Sequence, residues 1–121
     1  MRRTVMAISL LVSSVFLETG SASAQVPDLS GVWRTQTGAT FYVRQIGREI
    51  WWFGTQSSNR PRWTNVAGGK VINGVVTVRW VDVPAAEGHS AGFVELRLVG
   101  PNHLAVIGNP NDFLASDWYK S

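Results

Sequence analysis

The stretch Gly31–Ile46, GVWRTQTGATFYVRQI, decides the fold. From Thr40 to Ile46 its side chains alternate, with Phe41, Val43 and Gln45 on one side and Tyr42, Arg44 and Ile46 on the other. A period of two is that of a half-buried strand. Before it stands a Trp two residues after Gly31, and Thr37-Gly38 between the halves supplies a tight turn. The stretch reads as an opening β-hairpin to which the rest of the chain adds strands.

Downstream the same period persists, broken at regular intervals by Gly, Asn and Pro, which is the pattern of an all-β meander. Strands are expected near 31–35, 39–46, 49–55, 63–70, 75–83, 91–99, 103–109 and 115–120. Gly38 and Gly47 tolerate positive φ, Asn73-Gly74 is a type I′ hairpin signal, and Pro101-Asn102 suits a reversal. Two connections are longer, Gln56–Arg62 and Pro84–Ser90. No segment carries a capped helical stripe. Eight sequential strands in so short a chain leave two bare edges unless the sheet closes on itself. The expected architecture is therefore all-β, a single antiparallel up-and-down meander closing into an eight-stranded barrel. Its interior either is filled by side chains or holds one small ligand. Alternation places Val76, Val78, Trp80 and Asp82 on one side with Arg79 opposite, and turns Val94, Leu96 and Leu98 inward with Glu95 and Arg97 solvated.

Toward the N-terminus, Arg2 and Arg3 precede an apolar run, Val5–Leu17, and Ala22-Ser23-Ala24 has the small-x-small form of a signal-peptidase site. Residues 1–24 read as a signal peptide and 25–121 as the barrel domain of an exported protein, periplasmic or secreted. Nothing after Gln25 approaches the roughly 20 apolar residues of a spanning helix, so no membrane span is expected in the mature protein. Without residues 1–24 the chain keeps nine basic and seven acidic side chains in 97 residues. That balance lacks the clustered Lys and Arg of nucleic-acid binding. There is no Cys, which closes the disulfide route common to small exported domains. Six Trp, two Tyr and four of the five Phe remain. Each buried aromatic removes about 150–250 Å² from water, roughly 4–6 kcal/mol gross at about 25 cal/mol/Å².

Gly31-Val32-Trp33 in the first strand of a small exported meander resembles the calycin superfamily, which includes lipocalins and avidins. Gly31, Trp33, Gln36, Gly38, Thr40, Phe41 and Val43 follow the order G-x-W-x-x-Q-x-G-x-T-F-x-V, similar to the start of streptavidin-type avidins. The ending Ser116-Asp117-Trp118-Tyr119-Lys120 resembles the last strand of that group. Trp51-Trp52-Phe53-Gly54 and Trp80-Val81-Asp82-Val83-Pro84 are similar to stretches of small uncharacterised bacterial secreted proteins. The resemblance implies a calycin-like barrel in which Trp33 packs at the closed end under a basic side chain, here Lys120. In avidins, short polar groups on the first two strands hold the biotin ureido group. The matching positions are Thr35 and Ala39, and Ala39 has no hydrogen-bonding group, so the resemblance implies the barrel without implying biotin.

Catalysis has little support in the sequence. His89 and His103 stand at no metal-ligand spacing, and no nucleophile elbow, H-E-x-x-H or phosphate-cradling Gly loop is present. Paired acid–base carboxylates would require Asp82, Glu87, Asp112 or Asp117 to converge. The chain reads as a non-enzymatic binding protein without cofactor or metal. Its candidate ligand-binding residues are the aromatic and polar groups expected at the barrel mouth: Gln45, Trp52, Trp63, Asn65, Trp80, Asp82 and Asp117. They suit a small apolar or aromatic ligand. Asp82 has the competing role of capping the backbone of the turn that follows. Trp51 and Trp52, being adjacent, face opposite ways; one belongs to the core, and the other, beside Phe or Tyr, is a candidate contact surface. The rival function is a filled barrel acting through its outer surface, as a subunit of a homo-oligomer or as an inhibitor of an exported enzyme.

Overall fold

The computed structural model describes residues 27–83, 89–108 and 116–121. The expected signal peptide, Glu87 and Asp112 lie outside the described residues. Eight strands follow in order: β1 (Gly31–Thr35), β2 (Ala39–Ile46), β3 (Glu49–Gln56), β4 (Thr64–Ile72), β5 (Val75–Val83), β6 (Ala91–Gly100), β7 (His103–Ile107) and β8 (Asp117–Lys120). Each pairs antiparallel with the next, and β8 returns to β1, closing the barrel. The all-β meander read from the alternation is the architecture found, consistent with a calycin-like fold. Among the described residues no helix is long and apolar enough to cross a membrane.

The turns follow from local chemistry. Asn73 and Gly74 both adopt positive φ, 53° and 77°, which is the type I′ geometry that lets β4 and β5 keep their right-handed twist. β4 consequently runs to Ile72, two residues further than the pattern suggested. At the β1–β2 turn the Gly38 N–H donates to the Thr35 carbonyl at 3.0 Å, and the Ala39 N–H to the Thr35 hydroxyl at 3.1 Å.

Two ends result. The β2–β3, β4–β5 and β6–β7 turns share one end with the lead segment Pro27–Ser30, which closes it. Leu29 is buried there; its N–H donates to Gln45 Oε1 and its carbonyl accepts from Trp33 Nε1, each at 2.9 Å. Lys120 Nζ lies 6.0 Å from the Trp33 ring centroid and donates to the Asp28 carbonyl at 3.0 Å. This is the Trp–Lys pair that the resemblance implied. Gly31 makes it feasible, because a Cβ there would stand 3.0 Å from Lys120 Cε. At the opposite end lie the β1–β2 turn, the longer β3–β4 connection and the strand ends that bound the β5–β6 and β7–β8 connections.

Inward residues form rows across the strands, with large side chains set against small ones. Trp33, Phe41, Gly54, Asn65 and Asp82 make one row; Gly31, Val43, Trp52, Ala67, Trp80 and Gly92 make the next. A Cβ on Gly54 would meet Phe41 Cε1 at 2.4 Å, so the missing side chain is the space that the Phe41 ring fills. Below them Ile50, Val71, Val76, Val78, Val94, Leu96 and Leu104 complete the core. With no disulfide among the described residues, the aromatic rings carry much of the burial that makes so small a fold stable.

Candidate functional site

The barrel brings five of the seven expected site residues together at the mouth. Asn65 and Asp82 are cross-strand partners, Trp52 and Trp80 flank Ala67 in one row, and the half-buried Trp63 packs 6.1 Å from Phe41. The group is packed rather than open. Phe41 stacks on Trp118 at 3.9 Å, and Trp52 meets Phe41 edge-on at 5.5 Å and Trp118 at 4.9 Å. Trp52 Nε1 donates to Asn65 Oδ1 at 2.9 Å. Phe41, Trp52, Trp80 and Trp118 are 1–5% exposed, so these rings are shut off from solvent. The Asp82 carboxylate accepts from the Ser90 N–H at 2.9 Å while the Asp82 N–H donates to the Ser90 carbonyl at 2.8 Å. Its observed role is to fasten the ends of the β5–β6 connection.

The other two residues sit elsewhere. Gln45 points inward but at the closed end, where its side chain bridges the Leu29 N–H and the Gly47 carbonyl. Alternation fixes the face of a residue and not its height along the barrel, which is why Gln45 parted from the rest. Asp117 precedes the inward Trp118 and therefore faces out. There its carboxylate lies 2.9 Å from His103 Nε2, and the His103 ring stacks on Tyr119 at 4.5 Å.

The outer wall over β2–β6 holds a second aromatic set. One outward row reads Tyr42, Phe53, Val66, Val81 and Ala91; the adjacent one reads Arg44, Trp51, Gly68, Arg79 and Phe93. Tyr42, Trp51, Phe53 and Phe93 are 51, 51, 41 and 68% exposed. Tyr42 stacks with Phe53 at 6.4 Å, and the Arg79 guanidinium lies 5.9 Å from the Phe93 centroid. The Trp51 ring lies over Gly68, where a Cβ would meet its Cζ3 at 2.7 Å. A groove of about 480 Å³ opens on this wall, lined among others by Trp51, Val66, Gly68, Arg79 and Val81. The adjacency of Trp51 and Trp52 signalled an exposed ring in the sequence. Its companions Tyr42, Phe53, Arg79 and Phe93 required the strand register.

Among the described residues no group of three His, Asp or Glu side chains is placed to hold a metal ion. No family model matches this chain, and no curated protein or solved structure matches it either.

Proposed function

We propose that this protein is an exported, non-enzymatic, calycin-like binding barrel that engages a partner through its outer wall. The supporting observation is the contrast between the mouth, whose Trp52, Trp80 and Trp118 rings are 1–5% exposed, and the two outward rows of the β2–β6 wall, where six large apolar side chains are 38–68% exposed. Contiguous apolar surface on a soluble monomer is normally limited to a few hundred Å² and often marks a contact site. Among the described residues the rings at the mouth pack on one another, and the groove of about 480 Å³ opens on the outer wall instead. The same residues that stabilise the fold thus direct recognition to the outside.

The test is site-specific photo-crosslinking in the producing cell, with a photoreactive residue at Phe93 on the wall or at Trp63 on the mouth. Adducts from position 93 and none from position 63 are expected. Adducts from position 63 alone would return the binding site to the mouth.

A further inference from the structure

The two outward rows differ in charge as well as in shape. The row Arg44–Trp51–Gly68–Arg79–Phe93 carries two guanidinium groups and no carboxylate, and the row beside it is wholly uncharged. Acidic side chains occur in the row that flanks it on the other side, Glu49–Lys70–Thr77–Glu95, two residues along each strand, and the lead-segment Asp28 feels the charge of Arg44. There Glu49 accepts from Trp51 Nε1 at 3.3 Å and Glu95 from the Thr77 hydroxyl at 3.2 Å. Among the described residues the one carboxylate in contact with a basic side chain is Asp117, against His103, so neither Arg44 nor Arg79 has a described carboxylate within 4.0 Å. Both guanidinium groups keep N–H donors available beside exposed rings.

We infer that the wall takes an extended acidic and apolar segment of another protein, laid across the strands, with two carboxylates spaced to meet Arg44 and Arg79. This rests on the outer-wall reading above and adds the chemistry of the partner. Arg44 and Arg79 stand three strands apart, about 14 Å at the ~4.8 Å strand spacing, and about four extended residues at ~3.3 Å each cover that distance. Side chains at i, i+2 and i+4 of an extended chain face the same way. A carboxylate at i and at i+4 therefore meets the two Arg side chains, while an apolar residue at i+2 enters the groove beside Trp51 and Gly68. Arg forks bind carboxylates in bidentate fashion, which gives this arrangement direction as well as attraction. A second copy of the chain fits less well, because pairing the wall with itself about Trp51 and Gly68 sets Arg against Arg.

The experiment uses the purified full chain and fluorescein-labelled peptides of sequence Asp-Ser-Leu-Ser-Asp flanked by Gly-Ser. Comparison peptides carry Lys for both Asp, Ser for both Asp, or Ser for the central Leu. Anisotropy is expected to rank the Asp peptide about tenfold above its Ser analogue, with the Lys peptide weakest and the preference shrinking in salt. Arg44→Gln with Arg79→Gln should remove that preference, and Phe93→Ser with Trp51→Ser should remove binding of every peptide. Equal affinity for the Asp and Ser peptides, with both lost in the Trp51 and Phe93 variant, would overturn the acidic segment and leave the outer-wall reading standing. Binding that survives the Trp51 and Phe93 variant but is lost in Trp63→Ala would overturn both. No peptide binding together with a concentration-dependent dimer by sedimentation would make a second copy the occupant and overturn the acidic segment.

Discussion

Trp52 and Trp51 are neighbours in sequence with opposite fates, and the walls around them are built alike. Inside, Trp52 and Trp80 stand over Ala67 and Gly92; outside, Trp51 lies over Gly68 with Arg79 and Phe93 beyond. Both faces set rings against residues with little or no side chain. The difference is closure. Rings on the concave face converge from all sides of the barrel and seal one another, whereas rings on the convex face diverge and keep one side in water. An aromatic residue of this chain is thus structural or available for contact according to the parity of its position.

The strongest test of that contrast compares glycines. A Cβ on Gly54 would press on Phe41 at 2.4 Å and on Asn65 Oδ1 at 2.7 Å, with sealed rings behind them. Gly69 is tighter still, since its Cβ would stand 2.0 Å from the Thr77 carbonyl, a backbone atom that cannot rotate away. Gly69→Ala and Gly54→Val should each cost about 3 kcal/mol or more by urea unfolding, at the upper end of overpacking penalties. The nearest atoms to a Cβ on Gly68 belong to the Trp51 ring, which can swing into solvent, so Gly68→Ala should cost less than about 1 kcal/mol. Similar losses at Gly54 and Gly68 would show that the outer wall is as rigidly packed as the interior.

Truncating the two Trp residues gives the next largest difference. Trp52→Ala removes a ring packed on Phe41 and Trp118 and leaves Asn65 Oδ1 without its donor, so about 3–5 kcal/mol should be lost. Trp51→Ala leaves a half-exposed site and should cost about 1 kcal/mol or less in stability. Asn65→Ala lies between them. It strips the acceptor from a buried indole N–H, which costs about 1–3 kcal/mol.

The parity rule also explains how much could be read without coordinates. The hairpin Gly31–Ile46, the order of strands and the type I′ turn at Asn73-Gly74 are local features, each set by residues a few positions apart. The inward set Val76, Val78 and Trp80 follows from alternation alone. Asp117 could have been placed outside by the same rule, because Trp118 beside it is a core residue. What alternation omits is height and register. Gln45 shares a face with Phe41 yet lies at the closed end, bound to the lead segment. Tyr42 meets Phe53, and Arg79 meets Phe93, through pairings across turns whose lengths set the register. The outer aromatic wall is a property of those pairings and of no single strand.

The two ends of the barrel supply a finer comparison. The closed end depends on polar fastening by Asp28, Ser30, Gln45 and Lys120 rather than on stacked rings alone. Lys120→Met keeps the aliphatic stem over Trp33 but loses the ammonium and its bond to the Asp28 carbonyl, an expected loss of about 0.5–1 kcal/mol. The accompanying test is Trp33 fluorescence, which should shift to the red as water gains access, with peptide binding on the outer wall unchanged.

The smallest effect is a pH dependence at the same end. The Asp28 carboxyl is held below the usual carboxylate range, first by the Ser30 backbone N–H at 3.0 Å, then by the Ser30 side chain and by the positive charges of Lys120 and Arg44. Because its folded pKa is lower than its unfolded one, the carboxylate contributes stability above the unfolded pKa. That contribution fades as pH falls through the folded pKa, on the acid side of about 4. Asp28 is fully exposed, so the slope it adds is shallow and screened by salt. Asp28→Asn retains the carbonyl oxygen that accepts from Ser30 and removes the charge; its unfolding midpoint should converge on the parent's as pH falls through the folded pKa and lie slightly under it at neutral pH. A variant and parent that stay parallel from pH 2 to 7 would show that Ser30 and Gln45 fasten the lead segment without help from the Asp28 charge.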